Sequence, residues 1–462
     1  MEPITVGELL QATNGTLVGK DVDLSSTITS VETDSRSIRA GGLFIPLVGE
    51  RFDGHVFLDR ALKDGAVGCF TAVMPEECVA GKFYIHVENT QTALGQLAKF
   101  YRRKFKIPLI AVTGSVGKTT TKDMLAAVLG KKFKVLKTEG NFNNEVGLPL
   151  TLFQLDSSIE ICILEMGMNH FGEIAYLAEI AAPDIAVLTN IGDAHIENLG
   201  SRENILKAKS EVFTYMQDDA PVILNGDDWH LSTLKDKIRQ KIVFVGTNEQ
   251  FLYQAIDVAP QGEKGLRLTV KTPTKVFPVE VPALGNHMIY PVLSAVVLGE
   301  YFGMSEEEMI AGIGRFVPTK MRMNVIQQGT ITILDDSYNA NPQSMRAALE
   351  VLSQRESEYK AAILGDMFEL GALAPTLHHG IGEYAGKVGI DCLIAVGEMS
   401  HYIYEAASES NLPDVFYCKT KEEAKTVLPQ VIRPGATILV KASRGMEFEE
   451  LVREVKRLCP EN

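Results

Sequence analysis

The chain has 462 residues, 45% of them hydrophobic and 23% charged, and a formal net charge of −14. That length exceeds one ordinary hydrophobic core and predicts two to three domains; the acidic balance argues against a general nucleic-acid binder, which needs a basic face to release counterions from phosphates. No secretory signal is visible at Met1–Thr5, no apolar run approaches the ~20 residues of a bilayer span, and the six cysteines show no CxxC or metal-type spacing, so a reduced, cytoplasmic protein is expected.

Residues 1–90 mix short strand-like runs, Gly42–Leu47 and Lys82–Val87, with a helix-like stretch from Val56 to Lys63. They predict a small α/β domain. A helix from Thr92 to Lys104 opens the next region, 91–314, in which apolar strand, glycine-bearing turn and amphipathic helix repeat. Strands are predicted at Leu109–Thr113, Lys134–Leu136, Ile159–Glu165, Ile185–Thr189, Val222–Leu224 and Ile242–Val245. Near-continuous apolar strands between helices indicate a parallel sheet covered on both faces. Leu266–Val270 and Val276–Val281 alternate differently and suggest an antiparallel hairpin at its edge. A second α/β series fills 315–462, with strands at Ile331–Leu334, Ala361–Leu364, Leu393–Val396 and Ile438–Val440. It closes on a helix, Glu447–Leu458, whose apolar residues recur at a 3–4 spacing. The fold class is α/β in three domains.

The strongest chemical signal lies at the start of the middle region. The apolar strand ending at Thr113 runs into Gly114-Ser115-Val116-Gly117-Lys118-Thr119-Thr120 and then a helix. Backbone N–H groups in such a turn, with a helix N-terminus behind them, bind phosphate oxygens. Lys118 would reach the β/γ-phosphates and the Thr119 hydroxyl would ligate Mg²⁺. The loop is shorter than the general P-loop, which places a glycine where Val112 stands, and the same residues also suit a plain strand–turn–helix corner.

Phosphoryl chemistry needs metal ligands near that loop. Glu165 and His195 both follow predicted parallel strands, at the carboxyl ends where open α/β sheets hold ligands. Glu165 suits Mg²⁺, and His195 a second Mg²⁺ or a phosphate; Asp193 competes with His195 on the same grounds. Taken alone, each also reads as a solvated or hydrogen-bonded structural residue. Lys209, on a predicted helix, reads by composition as a surface lysine with a snorkelling stem.

Over nearly its whole length the sequence resembles the Mur ligase family. The resemblance is carried by Thr33-Asp34-Ser35-Arg36, Gly49-Glu50-Arg51-Phe52-Asp53-Gly54-His55, Thr113 to Thr119, Gly140-Asn141-Phe142-Asn143-Asn144-Glu145, Glu165-Met166-Gly167 and Ala208-Lys209-Ser210-Glu211. Farther on it includes Asp335-Asp336-Ser337-Tyr338-Asn339-Ala340-Asn341-Pro342, Gly365-Asp366-Met367-Phe368-Glu369-Leu370-Gly371 and Lys441-Ala442-Ser443-Arg444-Gly445. It departs at Met288 and Pro291, where family members often carry asparagines near the adenine, and at Ala442, where glycine is usual.

The resemblance implies a UDP-sugar domain (1–90), a central ATPase domain (91–314) and a Rossmann-like domain for the incoming amine (315–462). It implies an ATP- and Mg²⁺-dependent ligase that adds D-alanyl-D-alanine to UDP-MurNAc-tripeptide through an acyl phosphate, a monomer working apart from membranes. Thr119, Glu165 and His195 match metal positions, and Lys209 matches a lysine carried as a carbamate. Asn225, Arg322 and Asp336 match nucleotide contacts. Ser35, Arg36, Asn141, Asn144, Asn339, Asn341, Lys441, Ser443 and Arg444 fall in substrate-binding strings. Another amide ligase of the superfamily, including a folylpolyglutamate synthase, or a P-loop switch or kinase, remains the alternative.

Overall fold

A computed structural model describes residues 1–19, 21–49, 52–74 and 77–459; Glu50 and Arg51 of the quoted motif lie outside the described residues. Three sheets organise the chain. The first has five strands in the order Thr16–Val18, Phe83–His86, Gly68–Thr71, Gly42–Phe44 and Ser30–Glu32, parallel except for the first pairing. The helix Thr90–Arg102 then fastens this part to the next. The Tyr101 hydroxyl accepts from the Glu2 amide at 2.6 Å and donates to the Leu155 carbonyl at 2.6 Å. Arg102, almost fully buried, donates to the carbonyls of Ala181, Phe105 and Ile107. Its burial is matched by hydrogen bonds, as a buried charge requires.

The second sheet has nine strands: Val135–Lys137, Ile161–Glu165, Leu109–Thr113, Ile185–Leu188, Pro221–Asn225, Lys241–Gly246, Tyr253–Pro260, Leu266–Lys271 and Val276–Val281. The first seven run parallel and the last two pair antiparallel. Alternation decides which side each residue covers. Ile110 and Val112 join Met124, Leu125, Leu293 and Val296 on one face, whereas Leu109 and Ala111 pack toward Leu94 and Leu97 on the other. With both faces buried, the strands Leu109–Thr113, Ile161–Glu165, Ile185–Leu188 and Pro221–Asn225 carry few polar residues, and those few sit at the ends.

The third sheet runs Asn324–Gln328, Ile331–Asp335, Ala436–Lys441, Tyr359–Gly365, Cys392–Val396 and Asp414–Cys418, parallel apart from the first. In the second and third sheets three strands had no sequence prediction: Tyr253–Pro260, Asn324–Gln328 and Asp414–Cys418; in the first sheet Thr16–Val18, Ser30–Glu32 and Gly68–Thr71 had none. In the second and third sheets, polar residues break up Tyr253–Pro260, which leads into the antiparallel extension, and the edge strand Asn324–Gln328, while the edge strand Asp414–Cys418 offers only a short apolar run. The hairpin at the edge of the second sheet lies where the alternation placed it. No described helix is long and apolar enough to cross a membrane.

Candidate active site

The carboxyl ends of the second sheet's strands face the third sheet's domain across a cavity of about 670 Å³. One wall is the loop between the strand Leu109–Thr113 and the helix Lys118–Leu129. Gly114 has φ +147°, and a Cβ there would lie 1.9 Å from Thr189 Oγ1; Gly117 has φ +82° with open space around it. The loop is strapped to the segment after the neighbouring strand. Ser115 N–H donates to the Asn190 carbonyl at 3.0 Å and Val116 N–H to Asn190 Oδ1 at 2.9 Å. Gly192 N–H donates to Ser115 Oγ at 2.8 Å, and Thr189 Oγ1 to the Val116 carbonyl at 2.6 Å.

Within this frame Lys118 Nζ rests on the Gly114 carbonyl at 3.0 Å. Thr119 Oγ1 donates to Glu165 Oε2 at 2.8 Å, and Asn143 Nδ2 to Glu165 Oε1 at 2.7 Å. Burial lowers the Lys118 pKa, opposed by Glu165 and reinforced by Arg322. Thr120 and Val116 also line the cavity.

Two polar residues change standing. Lys209, which composition reads as a surface lysine, is 1% exposed, because the helix Arg202–Ser210 turns it inward. Among the described residues it has no hydrogen-bonding or ionic partner. Burial pushes its pKa well below the usual value, and neighbouring Lys118 pushes it further. Asp193 does not compete with His195: it is buried and gripped by Arg202 through two contacts of 2.7 Å. His195 lines the cavity, with Nδ1 2.5 Å from Glu369 Oε2 across the domain boundary.

The opposite wall belongs to the C-terminal domain. Asp336 follows the strand Ile331–Asp335; it accepts from the Met323 amide at 3.0 Å and pairs with Lys441 Nζ at 2.5 Å. Lys441 also donates to the Asn339 carbonyl at 2.9 Å. Arg322 lies over the Tyr338 ring, 4.1 Å from its centroid, with its buried Nε lacking a partner. Asn339 and Asn341 reach the cavity, and Asn341 also caps the helix Pro342–Ser353. Asn141 and Asn144 come in from the central domain; Asn144 Oδ1 accepts from Gly147 N–H at 2.9 Å.

Other sequence-marked residues lie elsewhere. Ser443 is buried behind the cavity and accepts from the Phe368 amide at 2.8 Å, while Arg444 pairs with Glu449 at 2.7 Å. Asn225 is buried in its own turn, accepting from the Asp227 amide at 3.0 Å. Ser35 and Arg36 sit in a turn of the N-terminal domain, where Arg36 pairs with Asp34 at 2.6 Å and holds that carboxyl down at about 2. Reading by residue type passed over Asn143, Gln343 and Glu369. Asn143 and Glu369 stand in the quoted motif strings, the one signal that marked them; Gln343 follows such a string directly.

Three family models match the chain: "Mur ligase family, catalytic domain" over residues 27–102, "Mur ligase middle domain" over 112–299 and "Mur ligase, glutamate ligase domain" over 321–444. The UDP-N-acetylmuramoyl-tripeptide–D-alanyl-D-alanine ligase of Bacillus subtilis is 38% identical, with 98% of each chain covered. The ligase of that name from Escherichia coli is 35% identical over 99% of each. A crystal structure of MurF from Acinetobacter baumannii superposes with a TM-score of 0.92 at 31% identity, covering 99% of both chains. MurF from Thermotoga maritima in complex with ADP gives 0.83 at 27% identity, over 93% of this chain and 97% of that one. The chain therefore belongs to the Mur ligase family, in the company of its UDP-N-acetylmuramoyl-tripeptide–D-alanyl-D-alanine ligases.

Proposed function

We propose that this chain is an ATP-dependent ligase that adds D-alanyl-D-alanine to UDP-N-acetylmuramoyl-tripeptide through an acyl phosphate, as a cytoplasmic step of peptidoglycan synthesis. One observation carries the reading: the loop residues 115–120, Glu165 and His195 share a single cavity with Arg322, Asp336 and Lys441 of the other domain. A phosphate-binding end and an acceptor end then meet where a phosphoryl group would be transferred.

A carboxylate does not acylate an amine in water, since its leaving group would be oxide. Attack of a carboxylate oxygen on the ATP γ-phosphorus expels ADP and leaves an acyl phosphate. The amine of D-alanyl-D-alanine then attacks the carbonyl carbon, an amide bond forms, and phosphate departs with the former carboxylate oxygen. Lys118 and the loop amides hold the phosphoryl oxygens as charge moves between them. Water must be kept from the acyl phosphate, and two domains closing over one cavity would exclude it.

The residues present fit magnesium. Thr119 Oγ1 and Glu165 Oε2 are hard oxygen donors 2.8 Å apart, and the described residues hold no group of three His, Cys, Asp or Glu that would make an all-protein cage. Mg²⁺ commonly takes one or two carboxylates and completes its shell with water and phosphate. Thr119 and Glu165 would hold one ion and His195 would face a second; bound there, the metal would neutralise phosphoryl charge. Lys209 suits carbamylation, because a buried partnerless amine held neutral can add CO₂ and release a proton, placing an anion beside Lys118.

Residues 1–90, with Ser35 and Arg36, take the UDP-sugar. Residues 91–314 take ATP, with Asn225 toward its base and Asn141 and Asn144 toward the peptide. Residues 315–462 take the dipeptide through Asn339, Asn341, Lys441, Ser443 and Arg444, while Arg322 and Asp336 approach the nucleotide. The enzyme acts as a monomer. Incubation with ATP, Mg²⁺, UDP-MurNAc-tripeptide and D-alanyl-D-alanine should give a nucleotide-sugar heavier by one dipeptide residue, with one phosphate released per product. ADP formation indifferent to the amine, or a product made equally well with diaminopimelate or glutamate, overturns the reading.

A further inference from the structure

His195 and Glu369 face each other from different domains, and both have left-handed backbones, with φ of 64° and 62°. Histidine visits this region more readily than most residues, but at Glu369 the conformation is costly and persists where surroundings enforce it. The enforcing contacts are visible. Glu197 N–H donates to the Glu369 carbonyl at 3.1 Å, and Gly371 (φ +52°) brings the same loop against Glu197. Gln343 Nε2 of the C-terminal domain donates to the Ile191 carbonyl at 3.3 Å. The C-terminal domain thus grips the segment Ile191–Glu197 at both ends, and that segment's own start straps the phosphate loop through Asn190 and Gly192.

At the centre of this grip is the imidazole. Glu369 Oε2 is 2.5 Å from Nδ1, yet the two are not aligned as a hydrogen bond, which leaves Nδ1 a buried polar atom without an aligned partner. Such atoms are rare and call for a partner. The Glu369 side chain is half exposed. From these contacts we infer that Glu369 is a positioning residue: it fixes the His195 ring through Nδ1, presents Nε2 to the cavity, and does so only when the C-terminal domain is docked. The inference rests on the proposed role of His195 and adds that the partner domain sets its orientation. A carboxylate on the far nitrogen of a functional histidine fixes tautomer and ring angle, and its loss typically costs about 10–100-fold.

The test uses the full-length enzyme and the variants Glu369→Ala, Glu369→Gln, His195→Ala and the double variant. Wild-type turnover comes first, since its absence would sink the proposed function and leave the pairing untouched. Glu369→Ala should lower kcat about 10–100-fold with KM for the UDP-sugar unchanged, and Glu369→Gln, which keeps an acceptor, should lose less. Adding Glu369→Ala to His195→Ala should cost nothing further, because both remove one unit. In substrate-free protein with ¹⁵N-labelled histidine, the His195 ring, assigned by its loss in His195→Ala, should carry its proton on Nδ1 in wild type and in Glu369→Gln, and lose that preference in Glu369→Ala. Unchanged kcat in Glu369→Ala, losses additive with His195→Ala, or an unaltered ring spectrum would overturn the inference. Should Glu369→Ala fail to fold, the glutamine variant and the wild-type spectrum still decide it.

Discussion

Lys118 and Lys209 show how far burial changes the chemistry of one residue type. Both belong to the central domain, and Lys118 lowers the affinity of neighbouring Lys209 for a proton. Lys118 has Glu165 to balance it and rests on a carbonyl; Lys209 has neither. Replacing Lys118 by alanine should cut ligation by about 10²–10³-fold, the scale for losing one preorganised charge donor, while leaving UDP-sugar binding intact by calorimetry; turnover at the wild-type rate would defeat the phosphate-loop assignment. For Lys209 the folded-state pKa lies below that of the unfolded chain, so folding releases a proton and the penalty is complete below the folded value. It fades as pH rises toward the ordinary lysine range. Lys209→Met should therefore be more stable than wild type near neutral pH in bicarbonate-free buffer. Denaturation across pH should show that advantage shrinking as the solution becomes alkaline; a constant gap would mean that the lysine is not strained by burial. The functional types at Lys118 and Glu165 were legible because they sit at a glycine turn and a strand end. The burial of Lys209 was not, since a lone lysine on a short helix gives no sign of which way that helix rolls.

Among the elements, the phosphate loop is where sequence and geometry correspond most closely. Its two glycines do different work. At Gly114 a side chain would collide with Thr189 and the backbone has φ +147°; at Gly117 the φ of +82° is the sole constraint, with nothing within 4 Å of an added Cβ. Gly117→Ala should cost about 1–2 kcal/mol from its left-handed backbone and keep weakened ADP binding. Gly114→Ala should abolish binding as well as destabilise, because the loop must leave its strap on Thr189 and Asn190. Calorimetric titration beside thermal unfolding separates the two, and equal effects would contradict this account. Parallel strands announced themselves as apolar runs because both of their faces are covered. The edge strand Asn324–Gln328 did not, because a half-exposed edge carries polar residues at the pattern's apolar positions, and the edge strand Asp414–Cys418 offers only a short, partly exposed apolar run.

At the scale of the whole molecule, contacts outside the cavity also tie the two domains together and pair residues far apart in sequence. Glu263 in a turn of the central domain accepts from Arg355 at 3.1 Å and from Gln327 at 2.5 Å. Thr319, in the connection between domains, donates to Asp123 on the phosphate-loop helix at 2.5 Å, and Asp123 is also held by Lys137 at 2.7 Å. No local pattern encodes such pairs, which is why Glu369, Gln343 and Asp123 escaped a reading by residue type, and the motif strings marked only the first. A cavity walled by two domains should make nucleotide binding a property of both. A non-hydrolysable ATP analogue with Mg²⁺, at about a hundred times its Kd, should add about 2.7 kcal/mol to stability and shift the unfolding of both domains together; an unchanged C-terminal transition would count against the shared site.

The central claim is that the tripeptide's carboxylate is activated by phosphoryl transfer, and an isotope settles it. With ¹⁸O in both carboxylate oxygens of the tripeptide's terminal residue, each turnover with D-alanyl-D-alanine should deliver one ¹⁸O to the released phosphate and keep one in the new amide, read by mass spectrometry. Phosphate free of label, or label found in AMP, would contradict the acyl phosphate.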